Sequence, residues 1–267
     1  MSKMTEETEA TSMTAQRLER LSGAVGVFGY SGANNIHEVV STDMAPLVDR
    51  IERDRMGSVT GVKLGQQSGS TRRKIMLAAH LDEIGAAVTK VDQGFLRFAR
   101  VGGLDDRVLM GQEVTVHGRH NLPGIIGSIP PHYKTENGDT VDHQTMVIDL
   151  GLLPEQVVDM VQVGDLISFV RPATKMLNGL ISGKAMDNRS SIASVIVCLD
   201  ELGQIRHDWD VYAVATTDEE KGSYVGATTQ AYKIRPDIAL VLDVTFGDVD
   251  EINVKLDHGP VIGLGPS

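Results

Sequence analysis

Four short stretches carry the residue types from which a charged reaction centre can be built. KIMLAAHLDE (74–83) ends in His80, Asp82 and Glu83, and DVYAVATTDEE (210–220) ends in Asp218, Glu219 and Glu220. DIALVLDV (237–244) brings Asp243, and SGKAMDNRSS (182–191) brings Asp187. Neighbouring acids repel one another and lose solvation when an apolar run delivers them to a buried edge. A divalent cation reverses that cost, because each carboxylate then faces an opposite charge. One histidine among several carboxylates suits Zn²⁺, Co²⁺ or Mn²⁺ better than a thiolate site does. The single cysteine, Cys198, removes a Cys-rich zinc cluster, and no HExxH motif is present.

Each residue also has an ordinary structural use. Asp187 can serve as the N-cap of the helix that follows it. His80 can be a hydrogen-bonded core histidine, and Asp218–Glu219–Glu220 a solvated turn. Asp243 ends an apolar run, where an unpaired carboxylate is costly.

The elements that must position these residues follow from periodicity. Residues 1–15 read as a frayed tail. Helices are predicted for AQRLERLSGAVG and for HEVVSTDMAPLVDRIERD, where Val39, Val40, Leu47, Val48 and Ile51 largely share a face. GSVTGVKLG and KIMLAAHLD read as strands separated by the basic turn QQSGSTRR. From 87 to 172 short β-rich runs alternate with Gly, Pro and Asp turns, the rhythm of a small barrel or sandwich, with one helical piece, PEQVVDMVQ. Beyond 173 the order is helix (NRSSIASVIVCLDELG), strand (DVYAVATT), helix (GATTQAYK) and a second buried strand, DIALVLDV. The fold class is α/β: a mixed-sheet α/β/α domain, 1–86 and 173–267, interrupted by a β insertion, 87–172. In such a sheet, ligand sites gather outside the carboxyl ends of the strands, where three of the four stretches stop.

The composition limits the function. Acids outnumber bases 36 to 25, giving a net charge of −11 and a pI near 5.1. That excludes the basic surface a nucleic acid or an anionic membrane would select. The opening MSKMTEETEATSMTAQ has no apolar core of a secretory signal, and no stretch reaches the length of a membrane span, so a cytoplasmic protein is expected. Cys198 sits in an apolar helical run and reads as an inert thiol.

AAHLDEIG, SGKAMDNRSS, DEEKG…GA and LVLDVT stand in the order of the M42 family of metallo-aminopeptidases, which this sequence resembles from about residue 18 onward. VGGLDDRVLMGQEVTVHG, PGIIGSIPPH, IDLGLLPEQVVDMVQVGDLISF and GVFGYSG are similar to further segments of that family, most of them in its small, PDZ-like β dimerisation domain. The resemblance implies a cytoplasmic aminopeptidase that removes N-terminal residues from short peptides with two divalent cations, Zn²⁺ or Co²⁺ foremost and Mn²⁺ next. It implies Asp187 as the carboxylate bridging both cations, with His80 and Asp243 on one and Glu220 on the other. It implies Glu219 as general base toward a metal-activated water, and Asp82 as the acid supporting His80. It further implies a homo-oligomer built from dimers, up to a dodecamer.

The sequence departs from the family pattern in two places. Three residues, Ser223, Tyr224 and Val225, separate EEKG from GA, where members commonly have two. The family's last ligand is a histidine beyond the GLGPS-like segment. His258, His207, His117, His120, His132 and His143 match no ligand motif. The sequence therefore reads as C-terminally truncated, with a weakly held second cation. The alternatives are a catalytically impaired metal-binding or assembly subunit, and a di-metal hydrolase acting on another substrate, such as a deacylase or carboxypeptidase.

Overall fold

The computed structural model describes residues 3–66, 72–128, 142–247, 254–255 and 258–263, with the backbone alone over 3–11. His132, most of the QQSGSTRR turn and the closing LGPS lie outside the described residues.

The chain opens with a long helix, α1 (Lys3–Gly23), where a frayed tail was predicted. Its Glu, Ala, Met, Gln and Arg content favours helix. Leu18 and Leu21 seat its end on the core, and Arg20 grips Asp43 with contacts of 2.8 and 2.9 Å. The next helix, α2 (Ile36–Met44), starts at Asn35, whose side chain accepts the Glu38 N–H at 3.0 Å. It is shorter than predicted. Pro46 sits in a 3₁₀ turn at Ala45–Leu47, and the chain then becomes strand β1 (Arg50–Arg53). Proline has no N–H to continue a helix and clashes with the preceding turn. Val39, Leu47, Val48 and Ile51 still reach one core, but from three successive elements.

Strands β2 (Val59–Lys63) and β3 (Lys74–His80) precede six strands that close a barrel. These are β4 (Gly85–Asp92), β5 (Phe95–Val101), β6 (Glu113–His117), β7 (Asn121–Gly127), β8 (Val147–Asp149) and β9 (Leu166–Phe169). Every pairing in the barrel is antiparallel, in the order β4-β5-β8-β7-β6-β9. Its interior holds Val88, Leu96, Val114, Val116, Ile126, Ile148 and Ile167, with Val157 of the short helix α3 (Pro154–Met160) joining the same cluster.

A two-stranded hairpin, β10 (Thr174–Lys175) and β11 (Ile181–Ser182), leads to α4 (Met186–Leu202), β12 (Asp210–Thr216), α5 (Val225–Ile234) and β13 (Ile238–Val241). The main sheet runs β1-β2-β12-β3-β13, with β12, β3 and β13 mutually parallel and the other neighbours antiparallel. Alternation along the strands divides its two faces. Leu77, Ala79, Val211, Ala213 and Ala215 meet α1, α2 and α4, whereas Met76, Ala78 and Val214 meet Ile234 and Ala231 of α5. The layers are helix, sheet, helix.

One strand departs from expectation. β13 is exposed along all four residues, where a buried strand was predicted. It is the sheet edge, hydrogen-bonded to β3 on one side. Cys198 is half-buried against the core, and burial pushes its thiol pKa up. Among the described residues no helix is long and apolar enough to cross a membrane.

Candidate metal centre

Three parallel strands stop at one level. Thr216 of β12 stands opposite His80 of β3, and β13 continues past Val241, where the Leu242 N–H reaches Ala78 O at 2.8 Å. Asp218–Glu220, His80–Asp82 and Asp243 therefore leave the same edge of the sheet. Asp187 arrives from the other direction, at the start of α4. The Asn188 amide donates to Leu242 O at 2.9 Å, fastening the start of that helix to the strand that precedes Asp243.

Asp187 does not cap α4. The N-cap position belongs to Ala185, and Asp187 has non-helical backbone angles. Its Oδ1 lies 2.9 Å from His80 Nε2, across 107 positions of sequence. Glu219 Oε2 lies 3.7 Å from the same nitrogen. Two groups of donor atoms, His80/Glu219/Glu220 and His80/Asp187/Asp243, each fit within 4.8 Å. His80 belongs to both, so five of the six predicted residues lie together in one cluster of donor groups.

The sixth, Asp82, lies behind it. Its carboxylate accepts the backbone N–H groups of Glu219 at 3.4 Å and Glu220 at 3.1 Å. Asp82 Oδ1 is 3.6 Å from His80 Nδ1, too far for a hydrogen bond but close enough for the charges to attract.

The acidic turn is not a solvated one throughout. Asp218 is buried at φ +70°, paired with Lys221 Nζ at 3.0 Å and hydrogen-bonded by the Ser223 hydroxyl. Lys221 in turn sits 3.8 Å from the centre of the Phe28 ring. Nothing in the spacing of Asp218, Lys221 or Asn188 announces these anchoring contacts, because their partners lie far away in sequence or depend on a left-handed backbone.

The electrostatics record the crowding. Burial lowers the His80 pKa, but the hydrogen bond with Asp187 and the nearby Asp82 and Glu219 override it and push it up to about 10. Burial raises the Glu220 carboxyl to about 7, with Asp187, Asp82 and Glu219 adding to the rise against the opposing pull of His80. Glu219 is raised too, first by burial, then by Asp243, Asp82 and Asp187 against His80. Half-buried Glu219 and Glu220, crowded with exposed Asp187 and Asp243 around the buried His80, fit a divalent cation that would offset their repulsion. So does the donor set, one imidazole with carboxylate oxygens. The Nδ1 of His80 has no hydrogen-bond partner among the described residues, and its Nε2 faces the acids.

Three of the histidines outside the ligand motifs have partners elsewhere, and His143 forms a separate donor group with Asp106 and Asp142. His117 meets Asn121 and Ser168, His143 meets Asp106, and His207 meets Trp209 O.

The profile of the M42 glutamyl aminopeptidase family matches residues 57–267. The chain belongs to this family. An M42 relative in Acetivibrio thermocellus, whose aminopeptidase name is provisional, is 38% identical over 233 residues, covering 85% of this chain and 66% of its own length. The TET aminopeptidase from the marine sediment archaeon Thaumarchaeota archaeon SCGC AB-539-E09 superposes with a TM-score of 0.84 at 32% identity, over 92% of this chain and 72% of that one. PhTET1-12s, solved as a dodecamer, gives 0.73 at 29% identity, over 85% and 67%. The M42 chain described here thus spans about two thirds of the length of such relatives.

Proposed function

We propose that this M42 chain belongs to a peptidase that removes N-terminal residues from short peptides at a pair of divalent cations, Zn²⁺ or Co²⁺ foremost and Mn²⁺ next. The observation that carries the reading is the meeting of His80 with Asp187, Glu219, Glu220 and Asp243 at one strand edge. In this reading Asp187 would hold both cations, with His80 and Asp243 as further residues for one and Glu220 for the other. Bound there, the cations would supply Lewis-acid polarisation of the scissile carbonyl and a more acidic water.

Glu219 acts as general base. Its half-buried carboxylate lies on the His80 side of the cluster, and the raised pKa suits it to take a proton from the attacking water and return it to the leaving amine. Asp82 orients the centre through the Glu219 and Glu220 backbone and through the charge it presents to His80. Residues 1–86 and 173–267 form the catalytic unit and 87–172 a PDZ-like insertion. Copies associate through that barrel into dimers, and the dodecameric state of PhTET1-12s favours a larger assembly of them.

The test pairs two variants of the whole chain with added Zn²⁺ or Co²⁺, assayed on aminoacyl p-nitroanilides and on N-acyl amino acids. Glu219→Gln is expected to keep its cations and lose aminopeptidase turnover, whereas Asp187→Ala loses both. Turnover confined to N-acyl amino acids replaces the aminopeptidase reading with a deacylase. Cation binding without turnover by the unaltered chain replaces it with an inert subunit.

A further inference from the structure

Behind the carboxylates lies a buried layer of opposite charge. Arg189, two residues after Asp187, is fully buried. Its Nη1 donates to Leu21 O at 2.7 Å, while Nε and Nη2 have no acceptor among the described residues. Beside it Lys184 Nζ donates to both Glu83 oxygens at 2.8 and 2.7 Å and to Ala24 O at 2.9 Å. Glu83 also accepts the Gly26 N–H at 2.8 Å. Lys184 is thus paired with Glu83, and Arg189 is bonded to Leu21 O, in a layer that joins α1, the 24–26 segment, the residues after β3 and the start of α4.

Stability gives no reason for this choice. A buried guanidinium with bare N–H groups costs free energy, and an apolar residue of similar size is often as good or better. The backbone has nonetheless been shaped around it: a Cβ on Gly26 would stand 2.2 Å from Arg189 Nη2. Glu83 and Asp82 are the acids whose field reaches Arg189.

We propose that Arg189, supported by the Lys184–Glu83 pair, is a positioning residue that sets the Asp187 turn against the His80–Asp82 segment so that a divalent cation can be held. The proposal rests on the cation-binding reading above. It makes a prediction of sign. Charge alone would make Arg189→Met bind a cation more tightly, because a positive neighbour has gone. Loss of positioning makes it bind more weakly, by roughly 10- to 100-fold for a residue supporting metal ligands.

Zn²⁺ is titrated calorimetrically into the metal-free full chain, and thermal melts in EDTA follow folding. The expected result is Arg189→Met folded, with a melting temperature at or above that of the unaltered chain, and weaker for Zn²⁺. Arg189→Lys, which keeps the charge and loses the fork, is expected to be weaker as well. Equal or tighter binding by folded Arg189→Met overturns the proposal. Should that variant not fold, Arg189→Lys decides by the same comparison. If neither folds, Arg189 is a folding element and the positioning role falls. The unaltered chain and Asp187→Ala run alongside; if those two bind Zn²⁺ alike, the cation reading has failed rather than the role of Arg189.

Discussion

Asp82 Oδ2 accepts the backbone N–H of Glu220 at 3.1 Å, from the far side of a strand junction and 138 positions away in sequence. The carboxylate two residues beyond His80 thus fixes the peptide that carries the paired glutamates. Its other oxygen faces both His80 Nδ1 and the Glu219 N–H. One buried acid therefore sets the spacing between the histidine and the glutamates.

Asp82→Ala removes this tie without replacing any of the five clustered side chains. Divalent-cation affinity of the full chain is expected to fall roughly 10- to 100-fold, the usual cost of losing a residue behind metal ligands. Calorimetric titration with Zn²⁺ measures it. Unchanged affinity would mean that the Glu219–Glu220 segment holds its place without Asp82.

The anchor of that segment can be tested separately. Lys221 bridges buried Asp218 and the face of Phe28. Lys221→Met and Phe28→Ala are expected to be non-additive in a double-mutant cycle, with a coupling of about 0.5–1 kcal/mol for a partly exposed cation–π pair. Independent effects would show that the ring and the ammonium are neighbours without interaction.

The sequence made the strand ends legible and left their surroundings opaque. KIMLAAH and DVYAVAT are largely apolar, of strand length and followed within two residues by acids, so β3, β12 and the acids at their ends can be read from local pattern. The convergence of His80 with Asp187 rests on parallel register and on the Asn188–Leu242 contact, neither of which has a local signal. HEVVSTDMAPLVDRIERD misleads for a related reason. Its apolar spacing fits a helical face, but Pro46 and the antiparallel partner offered by β2 convert the second half to strand. The apolar run IALV likewise says strand without saying how much of it is covered.

Gly226 shows how closely α5 approaches the acidic turn. A Cβ there would lie 2.3 Å from Thr217 O and 2.7 Å from Thr217 N, both backbone atoms that cannot swing aside. In an open helix Gly→Ala would stabilise by up to about 1 kcal/mol. Here Gly226→Ala is expected to destabilise, by about 1–3 kcal/mol for overpacking, and to lower the melting temperature. A gain in stability would show that α5 can withdraw from Thr217 without cost.

The pH dependence of folding can be read at the opposite end of β12. Asp210 accepts Arg72 Nε at 2.6 Å and the Gly65 N–H at 2.8 Å. Burial raises the Asp210 pKa, but the guanidinium and the N–H outweigh it and the carboxyl is held below its ordinary value. The folded pKa is therefore lower than the unfolded one, about 3.9. Stability from this group is complete above the unfolded value and is lost as pH falls through the folded value. Asp210→Asn is expected to cost about 1.5–3 kcal/mol at pH 7, the range for a hydrogen bond to a charged group. Denaturant midpoints for the two proteins should converge as the pH is lowered below 4. If the difference between them persists unchanged at the acid end, Asp210 contributes through shape and hydrogen bonding rather than through its charge.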